Sequence, residues 1–290
     1  MNTQKVIAGY IRKGNGPNEL ISAWSTLHRH SLILRDGTAC AVACINIDSA
    51  LIGYVHKPII TRLEGSAHPC VFIDEMLTMV NPYYINDGFG VNGLPEFIQY
   101  DVKTGKLLAN YKNNDKNFPA NLTQRSIAYC NSKYIAFWYC FPIITIYDKD
   151  FNLMKMYRDD KFNDPAVVNI GGEFSELLSD GFNEFFMFGC QTENHIIAIN
   201  VRGQMLKSEF QRKGGYQWAQ NNSADFTLTR CKNQEIWCFD NDMNLVRRFK
   251  CSDTIGFIRS VSYNEKSKTL YINAMDEDEE YCLYRCVFEK

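Results

Sequence analysis

The sequence predicts an all-β fold, a six-bladed β-propeller of four-stranded antiparallel blades, and three observations carry that prediction. A short pattern recurs four times: Phe97-Ile98-Gln99-Tyr100-Asp101…Gly105…Tyr111, Ile144-Thr145-Ile146-Tyr147-Asp148…Asn152…Tyr157, Ile196-Ile197-Ala198-Ile199-Asn200…Gly203…Phe210, and Ile236-Trp237-Cys238-Phe239-Asp240…Asn244…Phe249. Each copy is an apolar run, an Asp or Asn, a turn with Gly or Asn at or next to a position suited to positive φ, and a second run reaching an aromatic residue, which is a hairpin signature. The anchors Asp101, Asp148, Asn200 and Asp240 lie 47, 52 and 40 residues apart, a period that suits propeller blades rather than helical repeats. The two ends are also complementary: the C-terminal copy lacks an outer strand, and the N-terminus offers one without a partner.

Taken in order, Gln4 to Arg12 reads as that unpartnered outer strand, and Gly14 to Leu20 as the loop after it. A weaker first copy runs through Ser31–Gly37, Ala41–Ile45 and Leu51–Tyr54. The runs at 134–139, 184–188 and 225–229 each precede a hairpin and are rich in aromatic or β-branched residues, so they read as second strands. Thr269–Ile272 and Tyr281–Val287 supply a second and a third strand at the far end. Pairing the N-terminal strand with this last blade closes the ring and removes two free sheet edges. No sustained 3.6-residue apolar period points to a long helix. The expectation is one domain over residues 1–290.

The loop Gly14-Asn15-Gly16-Pro17-Asn18-Glu19-Leu20 resembles the G-x-G-P-G-E-F/Y signature of the TolB-like six-bladed β-propellers, with Asn18 in place of a Gly and Leu20 in place of an aromatic residue. Its place after an outer strand, together with the repeats, extends the resemblance over nearly the whole chain. The resemblance implies architecture and export to the periplasm or cell surface, as in bacterial exported and lipid-anchored relatives, rather than a reaction. As structure, Gly16 allows a sharp turn, Pro17 fixes φ, and Glu19 can accept hydrogen bonds from loop N–H groups. Met1 to Lys5 shows no basic segment leading into an apolar one, so no secretory signal is read in this chain, and a cytoplasmic location is the alternative.

Composition narrows the function classes. With 31 basic against 33 acidic residues and a net charge of −2, no basic surface for nucleic acid or anionic lipid is expected. The apolar runs are strand-sized, far short of the roughly 20 residues of a membrane helix. Eleven cysteines without a C-x-x-C pair read as small buried hydrophobes kept reduced. The chain is read as a monomer.

Loops on one face of a propeller form its default binding surface. The longest, at 81–90, 112–124 and 158–173, are rich in Asn, Asp, Gly and aromatic residues and would suit a glycan, peptide or protein. Tyr83, Tyr84, Phe89, Trp138 and Trp218 are the candidate ligand-contacting aromatics, each equally able to serve as packing. His28 and His30 have no third ligand at a zinc spacing, so no metal site and no cofactor are expected, although carboxylates from several blades could converge on a calcium ion. Asp101, Asp148 and Asp240 are read as turn caps. No G-x-S-x-G elbow or phosphate-binding glycine loop occurs. The expected function is a non-catalytic binding or interaction module, and the alternative is a divalent-metal-dependent hydrolase, lactonase or lyase at a channel mouth.

Overall fold

A computed structural model describes residues 11–28, 30–52, 59–64, 70–73, 76–80, 97–111, 125–139, 141–158, 167–171, 174–177, 185–201, 212–214, 217–218, 221, 234–252, 254–276 and 280–287. These residues are overwhelmingly strand, and all but one of the strand pairings are antiparallel. The chain divides into two compact units, one of residues 1–82 and 93–114, the other of residues 83–92 and 115–290.

In the first unit, β1 (Arg12–Lys13) and β2 (Glu19–Leu20) pair in parallel at the base of the 14–18 loop. Within it the Glu19 carboxylate accepts the Gly16 N–H at 2.9 Å, the bracing that its place in the sequence predicts. A Cβ added at Gly14 would stand 2.1 Å from that carboxylate. The first four-stranded sheet is β3 (Ala23–His28), β4 (Ser31–Asp36), β5 (Ala41–Asn46) and β6 (Ile60–Arg62). Between β5 and β6 the chain forms α1 (Ile47–Leu51), capped where Asn46 accepts the Ser49 N–H at 2.9 Å. Leu51, read as the start of a strand, is therefore helical. The second sheet is β7 (Cys70–Ile73), β8 (Met76–Val80), β9 (Phe97–Asp101) and β10 (Leu107–Tyr111). Val42, Leu63 and Tyr100 form a shared apolar core with Ile98 and Val102.

In the second unit, β11 (Arg125–Cys130), β12 (Lys133–Trp138), β13 (Ile143–Tyr147) and β14 (Leu153–Arg158) form one sheet, and β15 (Val167–Gly171) with β16 (Phe174–Leu177) forms a two-stranded pair. A further sheet contains β17 (Phe185–Gln191), β18 (His195–Val201), β19 (Gln234–Asp240) and β20 (Leu245–Lys250); the last contains β21 (Phe257–Asn264), β22 (Thr269–Met275) and β23 (Tyr281–Val287). Alternation along β18 and β19 sends Ile196, Ala198, Trp237 and Phe239 into a core with Ile135, Phe137 and Ile144. The other face sends Ile197, Ile199, Ile236 and Cys238 into a core with Ile258, Leu270 and Ile272.

Two sequence expectations change here. The third copy of the repeat does not open its own hairpin: its apolar run is β18, paired antiparallel with β19 of the fourth copy, Ile196 opposite Phe239. Phe185–Phe188, read as a second strand, is accordingly the first strand of that sheet. The described residues thus hold four four-stranded sheets, one three-stranded sheet and the two-stranded pair β15–β16 as blade-like sheets. Asn200 lies inside strand β18, fully buried and opposite Glu235, with Val201 continuing the strand after it. The expected strand at 225–229 and residues 4–10 lie outside the described residues.

The three true turns share one device. Asp148 Oδ1 accepts the N–H groups of Asp150 and Asn152, both at 2.9 Å, and its Oδ2 accepts Asn152 Nδ2. Asp240 repeats this with Asp242 and Asn244. Phe151 and Met243, each just before that Asn, hold φ near +61° and +62°. Asp101 accepts from Lys103 and Thr104 at 2.8 Å and leads to Gly105 at φ +74°.

Candidate functional site

Between sheet β17–β20 and sheet β21–β23 of the second unit lies a cleft of about 360 Å³, lined by residues of both. Its position follows from register. His195 and Ile197 share one face of β18, Ile236 and Cys238 share one face of β19, and on β20 Phe249 stands opposite Ile236 and Arg247 opposite Cys238. Tyr263, Lys268 and Leu270 complete the walls from β21, β22 and the turn between them. The floor is apolar, and Cys238 belongs to it chemically: burial pushes its thiol up to about 11 despite the nearby Arg247 cation, so it stays protonated at neutral pH.

A polar clasp closes one end. The β21–β22 turn carries Glu265, whose carboxylate accepts the Thr192 hydroxyl, the Asn194 N–H at 3.0 Å, Asn194 Nδ2 at 2.5 Å and His195 Nδ1 at 3.0 Å. Burial raises the carboxyl, but these bonds outweigh it and hold it near 2. An ionised carboxylate only accepts, so Nδ1 of His195 carries a proton in this contact. The His195 ring also meets Tyr263 edge-on at 6.1 Å between centroids.

The charges on either face of β20 have different fates. Arg248 is held by Glu235 at 2.7 Å and lies 4.2 Å over the Trp237 ring. Arg247, on the cleft side, meets the Phe249 ring, 5.7 Å from its centroid, and forms no ion pair with a described residue. Lys268 on the opposite wall likewise forms none. The cleft therefore combines an apolar floor with a basic rim. It can hold a small apolar body and oppose a negative charge.

The aromatics singled out in the sequence fall elsewhere. Trp138 is 1% exposed, donates Nε1–H to Thr145 Oγ1 at 3.0 Å, and lies under the Arg125 guanidinium at 3.6 Å, so it is packing rather than a ligand platform. Trp218 is half-buried in a short helical turn, with Lys213 Nζ 4.6 Å from its ring centroid. Tyr83, Tyr84 and Phe89 lie outside the described residues, as does most of the three long loops. His30 pairs with Asp48 at 2.8 Å in an exposed turn beyond β3, so it does not continue the strand that carries His28. Among the described residues no three His, Cys, Asp or Glu side chains converge, and no helix is long and apolar enough to cross a membrane. The cleft itself escaped sequence reading because its lining comes from five strands and a turn. Only the two arginines inside the apolar pattern of β20 could have flagged it.

No family model matches the sequence, and no curated protein is similar to it. Two of the solved structures that this chain resembles show the likeness of fold. A member of the DUF4221 family from Bacteroides vulgatus ATCC 8482 is 12% identical with a TM-score of 0.55, over 94% of this chain and 81% of that one. A candidate exported protein from Bacteroides fragilis NCTC 9343 is 11% identical with a TM-score of 0.53, over 96% of this chain and 80% of that one. At this identity the likeness is one of fold, of propeller type. It extends to no TolB-like membership.

Proposed function

We propose that this protein is a non-catalytic binding module whose ligand occupies the cleft between sheets β17–β20 and β21–β23. The observation that carries this reading is the cleft itself: about 360 Å³ of apolar-floored space bordered by three nitrogen-bearing side chains, His195, Arg247 and Lys268. Small-molecule sites have this size and this mixture of apolar walls with a few polar groups. Recognition of a glycan, peptide or protein through the long loops remains a second surface of the same module, as their composition suggests. Export belongs to the proposal as well, supported by the B. fragilis protein of the same fold. We further propose the ring closure read from the sequence, with the segment Gln4 to Arg12 adding a strand beside Tyr281–Val287.

A ligand-observed NMR screen of small apolar and amphiphilic compounds tests the binding reading. Hits should be lost in Val246→Trp, which fills the rim from a position 56% exposed and so tolerant of bulk. Ile197→Trp, which fills the floor, should lose the same hits. Hits kept at full affinity in both folded variants would overturn the assignment of the cleft.

A further inference from the structure

We infer that the cleft takes a small amphiphilic anion, a carboxylate with an apolar body, of about a dozen non-hydrogen atoms in all. The inference rests on the reading of the cleft as a binding site and adds the chemical class of its occupant. Size comes first: at the roughly 30 Å³ that a water-sized group fills, the cleft of about 360 Å³ admits about a dozen such groups. The floor then requires that most of them be apolar. Ile197, Ile236, Phe249 and Leu270 offer no hydrogen-bonding side-chain atom, and the Cys238 thiol is a weak donor at most.

Charge decides the remaining end of the ligand. Arg247 and Lys268 come from opposite walls, and neither meets a carboxylate among the described residues. The acid of the neighbouring turn, Glu265, is already engaged by Thr192, Asn194 and His195. The contrast with Arg248 is informative, because the adjacent residue of the same strand has both an acid and an aromatic partner. Lys268 adds a second sign. Its backbone is in the left-handed region at φ +51°, where Gly or Asn sits at lower cost, yet a long cationic side chain occupies the position. A carboxylate between the two cations would form charge-assisted hydrogen bonds at the rim.

Titration calorimetry with octanoate, 1-octanol and octylammonium, matched in length and differing in head charge, tests the class. Octanoate should bind about tenfold tighter than octanol, and octylammonium weakest of the three. Arg247→Gln and Lys268→Gln should each reduce the octanoate preference by about threefold or more, and added salt should reduce it in the wild type. Octanol or octylammonium binding as tightly as octanoate, or a preference unchanged in both variants, would overturn the anion and leave the binding module standing. Absence of binding by all three compounds to the wild-type chain would overturn both.

Discussion

A carboxylate in this protein is stable where local N–H groups converge on it, and the turn aspartates show the rule. Asp240 is held by two backbone N–H groups and the Asn244 amide. Asp240→Ala should therefore lower stability by about 1 to 2 kcal/mol, the range for losing such a cap, read as a fall in the urea midpoint. Asn200 shows the converse. It is fully buried within β18, where an ionised side chain carries a desolvation cost, so Asn200→Asp should cost more than the Asp240 change by the same measurement. Trp138→Ala should cost about 3 to 5 kcal/mol through lost packing. Glu265 adds a pH dependence. Its folded value near 2 lies below the ordinary 4.5, so its contribution is complete above about 4.5 and is lost as pH falls toward 2. Glu265→Gln should be destabilising at neutral pH, and its difference from wild type should shrink across that acid window.

The turn aspartates were legible because an Asx turn is decided within four residues, and an Asp with Asn four positions on is visible in any sequence. Which strands share a sheet was not. The copies at Asp148 and Asp240 are 92 residues apart, close to two periods, and the copy between them carries Asn200 instead of Asp. That substitution was the local signal that the third copy is a strand without a capped hairpin. Element junctions are also where a single atom decides. Gly105 ends the β9 turn against the end of β6: its carbonyl accepts the Glu64 N–H at 3.0 Å, and an added Cβ would fall 1.8 Å from the Arg62 carbonyl oxygen. With φ at +74° a side chain is strained there even without the clash. Gly105→Ala should lower the urea midpoint by the equivalent of about 2 kcal/mol or more.

At the scale of the whole molecule, the three-stranded sheet β21–β23 presents Tyr281 and Leu283 at 66% and 73% exposure. Deletion of residues 1–12 should lower the melting temperature of the protein as a whole if the N-terminal segment covers that edge, because an unpaired strand edge and its apolar side chains would be left to solvent. An unchanged melting temperature in a monomeric truncated protein would rule out closure by this segment. The β17–β20 sheet shows how far the chain reaches to build one layer: β18 ends at Val201 and its partner β19 begins at Gln234. Long-range pairing of this kind is fixed by the shared apolar faces of Ile197 and Ile236, and by Ala198 against Trp237 on the reverse.

By itself the sequence determined the all-β character, the hairpins at Asp101, Asp148 and Asp240 and the bracing of Gly16 by Glu19, because each depends on residues a few positions apart. Tertiary structure alone decided that the third and fourth copies join one sheet, that Trp138 is core, and that a cleft exists. His195 and Glu265 meet across 70 residues, and Arg247 and Lys268 face one space from different sheets. No local pattern encodes such meetings, since they arise only when two apolar sheet faces pack and leave the volume between them that their side chains fail to fill.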